Sequence, residues 1–295
     1  MFRFLLTFFL FTLVSGKHSL SDKKLTNGKN TDIVYFPYQV SITKNGEYIC
    51  GGAILQQNII VSAAHCFTSE DVKLYQVRAG SSYHNKNGYV FPVTDIAKHN
   101  LHELLLNEKR LYDIAIIKIK GMSSTFTKFI QPIRLPPKDF AIPYTAKGTL
   151  IGWGRTGENG PVSDELKYVN IRIWKQSECK QVFGKRKIKD VVFCSGSDGK
   201  SACFGDSGGP FIVNKKLVGI VSWGKACGRA GHPTVFTNVI YLWNLEVINV
   251  KNSIQIFLDY GKESHRRVMI LPLYECTYIC TYIQYEIWLC SSVSS

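Results

Sequence analysis

Three short segments carry side chains that can do chemistry together. Ser62-Ala63-Ala64-His65-Cys66 closes an apolar run from Ile59 and offers an imidazole. Asp113 stands at the mouth of the hydrophobic run Ile114-Ala115-Ile116-Ile117 and offers a carboxylate. Gly205-Asp206-Ser207-Gly208-Gly209-Pro210 holds a serine hydroxyl in a glycine-rich loop. A hydroxyl is a weak nucleophile until a base takes its proton, and an imidazole is the side chain suited to that at neutral pH. A carboxylate on the other ring nitrogen fixes the tautomer and stabilises the imidazolium. Each segment alone has an ordinary reading, as a structural histidine, a turn aspartate or a plain loop. Together, in the order His, Asp, Ser, they point to acyl transfer through a nucleophilic serine.

Such groups need a rigid frame, and the chain supplies the pattern for one. Between residues 25 and 239 short β-branched and aromatic runs alternate with Gly, Asn, Ser and Pro. Tyr38–Thr43, Ile114–Ile119, Gly148–Gly152, Tyr168–Trp174, Leu217–Trp223 and Val235–Val239 are examples. Runs of this length and spacing predict an all-β sandwich or barrel. From Ile240 the texture changes to long apolar stretches with little turn punctuation.

The three segments resemble those of the chymotrypsin–trypsin family of serine endopeptidases, over about residues 25–239. The resemblance implies two perpendicular six-stranded antiparallel β-barrels with the active site in the cleft between them, the crossing falling near Phe129–Lys147. It implies His65, Asp113 and Ser207 as the catalytic triad. The backbone N–H groups of Gly205 and Ser207 would form the oxyanion hole, and glycine at 205 tolerates the turn required there.

It also implies an activation site. Lys24-Leu25 matches the position where cleavage after a basic residue frees an aliphatic N-terminus, whose amine would pair with Asp206. The chain would then be a zymogen with propeptide 17–24, switched on by a trypsin-like protease. Counting back from Ser207 places Ser201 at the base of the primary pocket, where trypsin-like members carry an acid. Ser222-Trp223-Gly224 matches the wall strand that pairs with substrate backbone, and Thr234 stands where open-pocket members have glycine. The expected pocket is neutral and chymotrypsin-like, narrowed by Thr234, with an elastase-like preference as the alternative. Protein or peptide substrates and proteinaceous inhibitors are the partners implied, with a monomer and no cofactor or metal. A catalytically inactive, protease-like binding protein is the competing function.

Nine cysteines divide unevenly. The resemblance pairs Cys50–Cys66, Cys179–Cys194 and Cys203–Cys227, and leaves Cys276, Cys280 and Cys290 without family counterparts. Met1–Gly16 reads as a signal peptide, with Arg3 ahead of the apolar run Phe4–Val14 and small residues before Lys17. A secreted, oxidising setting is therefore expected. Val268–Cys290 is apolar but broken by Pro272, Glu275, Gln284 and Glu286, so no membrane span is expected there. Residues 240–295 form an atypical extension. Val239, Tyr241 and Trp243 look like the start of the family's terminal helix, at closer spacing.

The net charge of +14 invites a nucleic-acid or heparin reading, most directly at Lys185-Arg186-Lys187-Ile188-Lys189. Residues 25–239 hold 28 basic and 16 acidic residues, spread over predicted surface loops and not tracking aromatics. The simpler reading is solubility and encounter with anionic partners, with no nucleic-acid function.

Overall fold

A computed structural model describes residues 28–99, 101–102, 111–122, 126–137, 139–196 and 199–244, and four backbone strands within 255–292. The signal and propeptide expectations, with Lys24 and Leu25, lie outside the described residues.

Six strands close the first barrel: β2 (Gln39–Lys44), β3 (Glu47–Gln56), β4 (Ile59–Ser62), β5 (Tyr75–Ala79), β6 (Tyr89–Lys98) and β7 (Ala115–Ile119). They run in the order β2-β3-β4-β7-β6-β5. Strand β5 shows the alternation that drives closure. Tyr75, Val77 and Ala79 are buried while Gln76 is exposed, because successive side chains of a strand point to opposite faces.

The second sheet has seven strands, one more than the resemblance implies. Its order is β1-β9-β8-β11-β12-β13-β10. The members are β1 (Lys29–Asn30), β8 (Lys147–Gly152), β9 (Lys167–Arg172), β10 (Val192–Ser195), β11 (Pro210–Val213), β12 (Lys216–Gly224) and β13 (Thr234–Asn238). The extra member is the two-residue β1, which pairs with β9 at Lys29–Tyr168. The other six close through one bridge, Ile173 to Ser195, flanked by Trp174 N–H to Cys194 O at 2.9 Å. Phe193, Phe211 and Phe236 fill this barrel, with ring centroids 4.7–5.7 Å apart.

All six strand segments named from the sequence are strands, within a residue or two at most ends. Two helices accompany them, α1 (Gln176–Phe183) and α2 (Val239–Asn244). Helix α2 begins where the terminal helix was expected, and the Asn238 Oδ1 accepts the Tyr241 N–H at 3.2 Å. Val239, Ile240 and Leu242 are buried, so the second barrel is covered here despite the unusual spacing. Burying each such side chain is worth roughly 1.5–3 kcal/mol.

Beyond α2 the described backbone forms two antiparallel hairpins, β14 (Gln255–Asp259) with β15 (Arg267–Leu271) and β16 (Tyr278–Ile283) with β17 (Ile287–Ser292). Cys280 stands opposite Cys290 in the second register, and Cys276 lies outside the described residues. No helix among the described residues is long and apolar enough to cross a membrane.

Candidate active site

Strand pairing brings His65 and Asp113 together. In the antiparallel pair β4–β7, Ser62 lies opposite Ala115. The chain leaving β4 and the chain entering β7 therefore share one end of the barrel. His65 is three residues past Ser62 and Asp113 two before Ala115. Asp113 Oδ2 is 2.7 Å from His65 Nδ1, and Oδ1 accepts the His65 backbone N–H at 2.9 Å. Two bonds to one residue fix both the ring and its loop. The Cys50–Cys66 bridge ties that loop to β3.

Asp113 is buried, with a side chain only 3% exposed. Burial works to raise its pKa, but hydrogen bonds and charge from His65, with a bond from Ser222, outweigh it and hold it below the usual carboxylate value. Ser222 Oγ donates to Asp113 Oδ2, and Thr237 Oγ1 donates to the Asp113 carbonyl at 2.8 Å. The hydroxyl of Ser222 thus serves the carboxylate. Its backbone is what remains to meet a substrate.

Ser207 is held between the two barrels. The Gly51 N–H from β3 donates to the Ser207 carbonyl at 2.8 Å, and the Gly208 N–H donates to Val221 O of β12 at 2.8 Å. Gly208 has φ +75° and lies so close to Ser62 Oγ and Gly51 O that a Cβ would collide with both. Only glycine fits there. One cleft of about 490 Å³ is lined by His65, Asp113, Ser207, Ser222, Trp223, Gly224 and Thr234.

The loop before Ser207 turns at Gly205, φ +95°. Asp206 points away from the cleft into the second barrel, fully buried. It accepts N–H groups from Gly154 at 2.8 Å and Cys203 at 2.9 Å. Burial still pushes its carboxyl up to about 7 against those two donors. Gly154 passes so close to that carboxylate that any side chain would clash.

Ala202 and Thr234 line the cleft, while Ser201, expected at its base, is buried behind Ala202 and not part of the lining. Thr234 Oγ1 accepts the Ala202 N–H at 3.1 Å, and Ser201 Oγ donates to the Ala202 carbonyl at 3.0 Å. Ser201 Oγ also accepts the Gly228 N–H at 2.7 Å. Asp113 is the one acid among the described residues lining the cleft. The Cys203–Cys227 bridge joins the Ser207 loop to the pocket wall, and Cys179–Cys194 pins α1 to β10.

Cys50, His65 and Cys66 bring potential ligand atoms within 4.8 Å of one another. Both sulfurs are spent on the disulfide, so neither has a thiolate to give a metal.

The Trypsin family model matches residues 25–245. This chain belongs to the trypsin family of serine proteases. It is 36% identical over 241 residues to trypsin delta of Drosophila melanogaster, covering 81% of this chain and 93% of that protein. It is 35% identical over 240 residues to hypodermin-A of Hypoderma lineatum, covering 80% and 91%. Among solved structures, neuropsin, a serine protease expressed in the limbic system of mouse brain, superposes with a TM-score of 0.66. That match has 26% identity and covers 73% of this chain and 96% of neuropsin.

Several residues of this trypsin-family cleft escaped the sequence reading. Phe204, Lys225 and His102 line it, and Tyr48 contacts the Ser207 loop from the other barrel. Phe204 and Lys225 adjoin named segments and were within reach of sequence reasoning. Tyr48 is 157 positions from its partner, and no local signal announces it.

Proposed function

We propose that this trypsin-family protease is a secreted endopeptidase, made as a zymogen, that cleaves after apolar residues through a Ser-His-Asp acyl-enzyme mechanism. The observation that carries the reading is the His65–Asp113 pair at 2.7 Å, opening on the same cleft as Ser207. His65 Nε2 takes the Ser207 proton as Oγ attacks the scissile carbonyl carbon. The tetrahedral oxyanion is met by the N–H groups of Gly205 and Ser207. His65 then returns the proton to the leaving amine as the C–N bond breaks. Water, deprotonated by the same imidazole, hydrolyses the acyl-enzyme and restores the serine.

Apolar preference is supported by the neutral lining at Ala202 and Thr234, with the neutral Ser201 buried behind Ala202. The relatives are named trypsins, yet an unpaired substrate ammonium or guanidinium buried against this lining has no carboxylate to meet. Zymogen activation is supported by Asp206, whose buried carboxylate is the natural seat for the α-ammonium of Leu25 once Lys24–Leu25 is cut by a trypsin-like protease. Proteinaceous serine protease inhibitors are the further partners this reading implies.

The test is covalent. Protein secreted from cells is treated with a trypsin-like protease and then with a peptidyl phosphonate. The expected result is one adduct on Ser207, absent in Ser207→Ala, whose turnover falls by a factor on the order of 10⁶. Full amidase activity in Ser207→Ala overturns the assignment. Secreted, cleaved protein that takes up no phosphonate favours the inactive binding protein.

A further inference from the structure

The basic run that stood apart in the sequence leads directly off the cleft wall. Helix α1 stops at Gly184, φ +91°, whose N–H donates to Lys180 O at 2.9 Å. Lys185, Arg186 and Lys187 then project as an exposed turn before Ile188 returns to the core. Phe183, the last residue of α1, is buried and packs edge-on against Trp223, ring centroids 4.9 Å apart. Lys225 Nζ lies over the same Phe183 ring, 5.4 Å from its centroid. Phe183 thus joins the run to Trp223, Gly224 and Lys225, all of which line the cleft.

Among the described residues, positive charge gathers at this end. Lys225 is the one Lys or Arg among the described residues lining the cleft, and its one acid, Asp113, is buried beneath His65. Glu178, the acid of α1, is taken by the Lys175 N–H at 2.8 Å and by Arg172 at 3.2 Å. Arg229, beyond the pocket loop, is matched by Glu158 at 3.5 Å. The exposed turn itself sets three cations, Lys185, Arg186 and Lys187, side by side.

We propose that Lys225, backed by the 185–189 run, selects carboxylate side chains in the substrate, two to four residues before the scissile bond. The inference rests on the peptidase reading of this cleft. Ser222 sits at the reacting centre and the wall climbs from it through Trp223 and Gly224 to Lys225. A peptide extended along that wall advances about 3.3 Å per residue, so its second to fourth residues pass Lys225. The residue in the neutral base stays apolar. The substrate class is an acidic protein segment ahead of an apolar cleavage residue.

The experiment uses the full, activated chain and peptides sharing one apolar residue before the scissile bond. Ala, Asp or Lys is placed singly two, three or four residues before the bond, and at matching positions after it. In about 0.05 M salt the expected kcat/KM order at the acyl-side positions is Asp above Ala above Lys. The Asp-to-Ala ratio should be about fivefold, the scale of one partly exposed ion pair. In about 1 M salt the ratio should approach unity, since the screening length falls to roughly 3 Å. Lys225→Ala should abolish the ratio, Lys225→Arg should keep it, and the combined Lys185→Gln, Arg186→Gln, Lys187→Gln variant should reduce it. Hydrolysis of the Ala peptide with no Asp preference overturns this proposal alone. Failure to cleave any peptide overturns the peptidase reading with it. A preference inhibited by heparin but untouched in Lys225→Ala assigns the basic surface to a polyanion and overturns the role of Lys225.

Discussion

The Tyr48 hydroxyl donates a 2.6 Å hydrogen bond to the carbonyl oxygen of Gly205, across the junction of the two barrels. Gly205 precedes Asp206 and Ser207, so a side chain of β3 holds the peptide that leads into Ser207, the proposed nucleophile. Tyr48 is itself fixed, packed 4.8 Å from the His84 ring and edge-on to Trp153. Burial, then the charge of Asp206, raises its pKa well above the usual phenol value, so it remains a donor at any working pH.

Tyr48→Phe keeps the ring and removes the donor. The expected outcome is a fall in kcat of about tenfold, less than the 10²–10³ lost with a direct oxyanion donor. KM should change little, because ground-state binding does not depend on that peptide. Steady-state kinetics with one chromogenic peptide reads the split, alongside a melting curve to show the fold intact. A proportional rise in KM would place Tyr48 in substrate binding instead.

Asp113→Asn should keep the geometry but present an amide N–H where His65 needs an acceptor. The wrong tautomer follows, and kcat at neutral pH should drop by about 10⁴, the scale of this family's triads. Ser222→Ala removes one of the bonds that lower the Asp113 pKa and should cost far less, about tenfold or below. Comparing kcat for the two variants separates the charge from its support.

Acid should act on the imidazole before the carboxylate. The Asp113 pKa is lowered in the fold, so its stabilising contribution is present above its ordinary value near 3.9 and is lost only below that, as pH falls through the folded value. His65 must be neutral to act as a base, so kcat/KM should fall as acid protonates it, while the fold persists. Circular dichroism recorded beside activity between pH 7 and 4 checks this. Unfolding that coincides with the activity loss would contradict it.

Asp206 gives the opposite sign. Its folded pKa is raised to about 7, so the folded state binds more protons than the unfolded one between about 4 and 7. Unpaired, this group makes the protein less stable as pH rises through that window, at about 1.4 kcal/mol per unit of pKa shift. The proposed pairing with the Leu25 ammonium would lower the pKa and remove the penalty. The gain in melting temperature on activation should therefore be larger at pH 7 than at pH 5. An equal gain at both would argue against that ion pair.

The cleft base supplies a specificity test. Thr234→Gly deletes the side chain bonded to Ala202 and should shift preference toward Phe and Tyr by about tenfold, since pocket volume discriminates by roughly 1–3 kcal/mol. Ser201→Asp should raise kcat/KM for Lys and Arg substrates relative to Leu. A peptide library digested by the three enzymes reads all the ratios at once.

Local chemistry made His65, Asp113 and Ser207 legible, because each motif is contiguous and its glycines and flanking strand are written beside it. The strands were legible for the same reason, since alternation is a property of neighbours. The seventh strand was not: β1 is two residues long and exists only because β9 lies there to pair with it. Ser222 was named for its wall strand, whereas its hydroxyl faces a carboxylate 109 positions away.

The sequence by itself marked His65, Asp113 and Ser207 as candidates for base, acid and nucleophile, and its resemblance to a protease family implied the pairing of six cysteines and a neutral pocket base. Only the tertiary structure decided what reaches these groups from a distance. It set Tyr48 under the Gly205 carbonyl and the Ser222 hydroxyl on Asp113, and it joined the 185–189 run through Phe183 to Trp223 and Lys225. The reason is physical. Residue type and spacing encode short-range preferences, while a hydrogen bond or ring contact between distant positions exists only after two packed barrels have brought their surfaces within a few ångströms.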